Sequence, residues 1–179
     1  MKNQIFFFPI ALVTVLIGII SCQKEDSGDT GGNSTLNVRL TDAPNNFAEV
    51  NVDIREVRVK FSDDTLSNNG WITLTTFPGI YNLLDYQNGV DTLLATGAFP
   101  HQVVKEIRLV LGTNNTLVDM LGVSYPLTIP SGSESGLKIK VNKKLQVTLE
   151  TIIIDFDAAL SIMQEGNGNY RLKPVLRVK

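Results

Sequence analysis

Asp155 and Asp157 stand two residues apart in Ile152-Ile153-Ile154-Asp155-Phe156-Asp157, a spacing that on an extended strand turns both carboxylates to one face. Paired carboxylates suit glycoside hydrolysis, and with Asp42 and loop carbonyls they would suit calcium. No regular calcium-loop spacing surrounds them, and the weight falls on a structural use. In that use Asp157 caps a short helix, Asp155 bonds the backbone amides of a turn, and Asp42 makes an Asx turn before Pro44. His101 is the only histidine and follows Pro100 in a segment expected to be a surface loop; no Gly-x-Ser-x-Gly elbow is present for it to serve. Cys22 is the only cysteine, so the rest of the chain has no thiol for a disulfide, a zinc cluster or nucleophilic catalysis. The expectation is a protein without catalytic residues, metal or cofactor.

Binding chemistry has more material. Lys138, Lys140, Lys143 and Lys144 form a basic strip that could meet an anionic glycan, although lysines protect a strand edge in the same way. Trp71, Tyr81, Tyr86, Tyr125 and Tyr170 are the candidate sugar platforms, most of them expected in core or rim packing. Asp64-Thr65-Leu66 and Asp91-Thr92-Leu93 resemble a short bacterial O-glycosylation pattern of low specificity. Asp42, Trp71, Lys138, Lys140, Asp155 and Asp157 are therefore the candidate ligand-binding or structural residues, and Cys22 the candidate lipidation site.

The N-terminus sets the expected address. Lys2 precedes an almost wholly apolar run from Ile5 to Ile20, the pattern of a secretion signal. A bilayer-spanning helix wants about 20 apolar residues, and this run falls short, with Pro9 and Gly18 inside it. It ends in Ile19-Ile20-Ser21-Cys22, which resembles the lipobox of bacterial lipoproteins, where the cysteine takes a diacylglyceride and becomes the mature N-terminus. Residues 1–21 are expected to be the signal, and 22–34 an acylated cysteine with a flexible acidic tether rich in Gly and Ser. Gln23-Lys24-Glu25-Asp26 resembles an acidic export tag for the cell surface, with a plain solvated spacer as the equal alternative. An outer-membrane lipid anchor follows, on the cell-surface or the periplasmic side. Removal of Lys2 with the signal leaves 15 basic and 18 acidic side chains, a net charge of about −3 that gives nucleic-acid binding no support.

Residues 35–179 read as one domain of short strands. Leu36, Val38 and Leu40 alternate with polar residues. Val50, Val52 and Ile54 give way to Val57, Val59 and Phe61, a change of parity that requires a β-bulge near Arg55-Glu56 or a passage between sheets. Leu145, Val147 and Leu149 give way in the same manner to Ile152, Ile154 and Phe156, predicting a second change near Glu150-Thr151. Trp71 to Thr75, Ile107 to Leu111, Leu137 to Val141 and Tyr170 to Val178 complete the strands, with Pro174 near an edge or bulge. Helical turns are expected only at Ala158 to Met163, capped by Asp157, and near Leu93 to Gly97.

Thr41-Asp42-Ala43-Pro44, Trp71, Ile107-Arg108-Leu109, Pro130-Ser131-Gly132 leading to Gly136-Leu137-Lys138, Asp155-Phe156-Asp157 and Leu172-Lys173-Pro174-Val175 occur in this order. Together they resemble a family of bacterial, often lipoprotein, domains known as domain of unknown function 4382. Phe99-Pro100-His101-Gln102 departs from its pattern, which has a glycine-containing turn there. The resemblance implies an exported all-β domain, a β-sandwich of the transthyretin or carbohydrate-binding type, and no activity. The expected function is a non-catalytic binding or structural module that meets a glycan or an envelope protein. The alternative is a periplasmic accessory subunit of an envelope assembly.

Overall fold

The computed structural model describes residues 32–61, 70–129, 136–145 and 148–179. Cys22, the signal, the tether to residue 31, Asp64-Thr65-Leu66 and Pro130-Ser131-Gly132 lie outside them. Fourteen strands are present among the described residues: β1 (Asn33–Thr41), β2 (Glu49–Lys60), β3 (Trp71–Thr73), β4 (Thr75–Thr76), β5 (Gly79–Asn82), β6 (Thr92–Pro100), β7 (Val103–Leu111), β8 (Thr116–Val118), β9 (Ser124–Thr128), β10 (Leu137–Lys144), β11 (Leu149–Phe156), β12 (Ile162–Gln164), β13 (Tyr170–Leu172) and β14 (Leu176–Val178). A 3₁₀ turn at Leu83–Tyr86 and one helical turn, α1 (Ala158–Ser161), complete the fold.

The smaller sheet runs β14-β11-β1-β6-β4, with β1 and β11 parallel. The larger runs β10-β7-β2-β8-β9-β13-β12, with β3 and β5 also paired to β2. Leu36, Val38 and Leu40 of β1 and Ile152, Ile154 and Phe156 of β11 join Val50, Val52, Ile54, Val57 and Val59 of β2 and Ile107 and Leu109 of β7 in one buried cluster. The chain is an all-β sandwich-like fold. Its core is the set of inward positions that alternation marks.

β2 carries the bulge the sequence requires. Its pairing with β7 shifts between Ile54 and Glu56, and Arg55 is exposed as the extra residue. Val50, Val52 and Ile54 before it, and Val57 and Val59 after it, therefore all face inward. Trp71 to Thr75 changes sheets instead: β3 pairs with β2 in the larger sheet and β4 with β6 in the smaller, hinged at buried Leu74.

Several expectations are corrected. β11 pairs with β1 from Leu149 to Asp155 without a register shift, so no bulge exists at Glu150-Thr151. The apparent parity change is the gap between β10 and β11, and Leu149, read as a core position, is 56% exposed. Leu93 to Gly97 is strand, held by β1 in β6, and the 3₁₀ turn lies at Leu83–Tyr86, capped by Asn82. α1 stops at Ser161 because Ile162 enters β12 against Leu172. The last strand is two, β13 and β14, broken at Pro174. β1 begins at Asn33, two residues before the expected start of the domain, because Asn33 and Ser34 pair with Pro100 and Phe99.

Candidate functional site

Two groups of residues gather at opposite kinds of site, one closing the fold and one facing outward. The first surrounds α1. Asp157 accepts from the Leu160 amide at 3.0 Å, as expected of its N-cap, and Asp42 accepts from the Ala158 amide at 2.9 Å from a strand 116 residues away. Two carboxylates thus satisfy two of the free amides of one helical turn. Asp42 also receives the Gln87 and Asn45 side-chain amides at 3.2 and 3.3 Å. The turn after it is made by Asn45, whose carbonyl accepts from the Phe47 amide, and not by Asp42. Burial, and to a lesser degree the charge of Asp155, raises the Asp42 carboxyl above its ordinary value of 3.8 against the opposing pull of these hydrogen bonds.

Asp155 pairs with Lys179 at 3.4 Å instead of bonding turn amides, because β11 continues past it and occupies the neighbouring backbone. Asp157 meets Arg177 at 3.5 Å. Lys173 N–H donates to the Ser161 carbonyl and Val175 N–H to the Ser161 hydroxyl, so the strand break at Pro174 is tied to the same turn. Among the described residues no group of three or more His, Cys, Asp or Glu side chains converges as a metal site. Asp42, Asp155 and Asp157 hold the fold.

The second group lies on the outer face of the larger sheet. Past the β2 bulge, Glu56, Arg58 and Lys60 point away from Val57 and Val59. Register then builds two rows across four strands. Thr73, Arg58, Arg108 and Lys138 are direct neighbours in one, and Trp71, Lys60, Glu106 and Lys140 in the next. Partners opposite one another in a ladder share a face, so Trp71 and the Lys138/Lys140 strip, separate candidates in the sequence, belong to one surface. The Arg108 guanidinium sits 4.1 Å from the centre of the Trp71 ring and the Lys60 ammonium 5.9 Å. Lys60, Glu106 and Arg108 are buried, Arg58 and Trp71 half-buried, and Lys138 and Lys140 exposed. Burial first, then the Arg58 charge, lowers Arg108 from its ordinary value, with Glu106 opposing. Gly136 (φ 74°) permits the close approach: a Cβ there would stand 2.6 Å from the Arg108 Cγ.

Arg58, Lys60, Arg108, Lys138 and Lys140 give this face five cations against the two carboxylates of Glu56 and Glu106, on a chain whose net charge is −2. Glu56 is engaged by Arg58 at 2.6 Å. The Trp71 indole N–H is buried with no acceptor among the described residues. The members of this face open to a ligand are exposed Lys138 and Lys140 and half-buried Arg58 and Trp71, a set suited to an anion that carries a ring, while buried Arg108 and Lys60 are held against the indole.

Sequence reasoning missed Arg58, Lys60 and Arg108; their alternation with Val57, Val59, Ile107 and Leu109 marked them as outward, but nothing local joined them to Trp71. The other expected residues are dispersed. His101 is half-buried in the β6–β7 turn, Tyr81 stacks with Tyr86, Tyr125 with Tyr170, and Asp91 pairs with Arg39. A cleft of about 350 Å³ between the β7–β8 loop and β9 is lined by Thr113, Asn115, Leu127 and Thr128. Its most buried polar side chain, Asn115, is already spent on the Asp53 amide and the Gly112 carbonyl.

Neither curated proteins nor solved structures give a match to this chain. A family match spans residues 33–174, from the first residue of β1 to the strand break at Pro174, and so takes in both groups of residues. The chain belongs to the family described as Domain of unknown function (DUF4382).

Proposed function

We propose that the chain is an envelope lipoprotein, anchored in the outer membrane through acylated Cys22, whose sandwich is a non-catalytic module that binds an anionic glycan. The observation that supports this is the pairing register that sets Trp71, Arg58, Arg108, Lys138 and Lys140 on one outward face. A stacking ring flanked by cations serves an acidic sugar by ring contact and by charge-assisted hydrogen bonds. The carboxylates that catalysis would need are committed to capping α1 and to ion pairs.

The test is a glycan array probed with the acyl-free chain beginning at Gln23. Retention on acidic polysaccharides, lost in the Lys138→Glu/Lys140→Glu variant with its melting temperature unchanged, is the expected result. Absence of retention on any acidic glycan would sink the glycan reading, and envelope proteins that co-purify stoichiometrically would favour the accessory-subunit alternative.

A further inference from the structure

The end of the sandwich that receives the chain at Asn33 carries a second set of cations. Asn33 pairs with Pro100, the chain turns through His101 and Gln102 into β7, and Val103 and Val104 face Lys144 and Lys143. Thr35 N–H donates to the Thr148 carbonyl, which brings Leu149 to the same end. Lys143 and Lys144 are exposed, and Lys105 is half-buried. Among the described residues, Glu150 pairs with Lys143 at 3.3 Å. Leu149, 56% exposed, adjoins Glu150 at this end.

We propose that this end docks on an anionic bilayer surface, with Lys143 and Lys144 at the phosphate headgroups and Leu149 at the level of the acyl boundary. The inference rests on the acylation of Cys22 proposed above, but it concerns a different surface from the Trp71 face. Ten residues separate Cys22 from Asn33. Even fully extended, a chain of that length reaches no more than about 40 Å, so an acylated Cys22 keeps this end near the lipid, and the effective concentration of headgroups around it is of millimolar order. A contact of modest affinity in the free protein then suffices to orient the tethered one. Lysines and an apolar side chain at one end match the interfacial zone, where aliphatic stems lie along apolar surface and ammonium groups reach phosphate.

The experiment is co-sedimentation of the acyl-free chain beginning at Gln23 with vesicles of phosphatidylcholine alone or with about one-third phosphatidylglycerol. Binding is expected only to the anionic vesicles, and it should fall with added salt as screening requires. The Lys143→Gln/Lys144→Gln variant should bind about thirtyfold more weakly, each lysine near an anionic surface contributing about fivefold. Its retention on the glycan array should be unchanged, which separates failure of this inference from failure of the glycan reading. Equal binding to both vesicle types, or equal binding by variant and wild type with both folded by circular dichroism, overturns the proposal. Loss of both vesicle and array binding in the variant overturns it as well, since a single glycan-binding surface would then account for both.

Discussion

Replacing Asp42 with Ala removes the acceptor for the Ala158 amide, a residue with no solvent exposure. The stranded donor has no water to turn to, and leaving a buried hydrogen-bonding group unmade costs about 1–3 kcal/mol. Asp157 is a more ordinary cap; its loss costs about 0.5–2 kcal/mol, and its pairing with the largely exposed Arg177 adds little. Asp42→Ala should thus be the more damaging of the two, although it also relieves the burial of a carboxylate. At about 4 °C per kcal/mol for a domain of this size, the expected drop in melting temperature is roughly 4–12 °C. Asp42→Asn keeps the Oδ1 acceptor for the Ala158 amide but turns an NH2 toward the Gln87 and Asn45 amides that Oδ2 receives, so it should fall between Asp42→Ala and wild type. The pH dependence follows from the raised folded-state carboxyl: over the interval between 3.8 and the folded value, the folded protein holds a proton that the unfolded chain has released. The contribution of Asp42 is therefore most favourable below 3.8 and declines as pH rises through the folded value. Thermal unfolding of wild type and Asp42→Asn should show the difference between them moving in favour of the variant from acid to neutral pH. An unchanged melting temperature for Asp42→Ala, or a difference that moves the opposite way with pH, would refute this account of the α1 turn.

Gly112→Ala should destabilise the fold by about 1–3 kcal/mol in denaturant titration, because the new Cβ would lie 2.1 Å from the Oδ2 of Asp53, which is fully buried and cannot withdraw. Cys22→Ala should abolish incorporation of labelled palmitate and release the protein from the membrane or leave its signal uncleaved; equal labelling of the variant would end the lipoprotein reading.

The two parity changes show what alternation reveals and where it misleads. Both present the same pattern, apolar residues at one phase giving way to apolar residues at the other. In β2 the two phases lie in one continuous strand whose partner β7 counts one residue fewer, so a bulge at Arg55 is the geometrical solution. Between Leu145 and Ile152 the pattern runs on from the end of β10 into β11, and Leu149, the first residue of β11, is exposed on the face opposite Ile152. Periodicity cannot separate these cases, because the pattern contains no information about the partner strand. The same limit governs Leu93 to Gly97, where the long-range pairing of β6 with β1 overrides a local reading as a turn.

The site follows this division. The N-cap of α1 was legible because capping joins residues three apart, Asp157 and Leu160. That Asp42 caps the same turn was not, since its partner lies 116 residues away. Trp71 and Lys138 were identified as residue types suited to binding, but what sets them on one face is the register of β3, β2, β7 and β10, four strands drawn from three distant stretches of chain. The bulge at Arg55 connects the two outcomes. By shifting the phase of β2 it turns Val57 and Val59 into the core, and by the same step it turns Glu56, Arg58 and Lys60 outward against Arg108 and Trp71. The inserted residue that completes the hydrophobic core is therefore also the residue that assembles the cationic face.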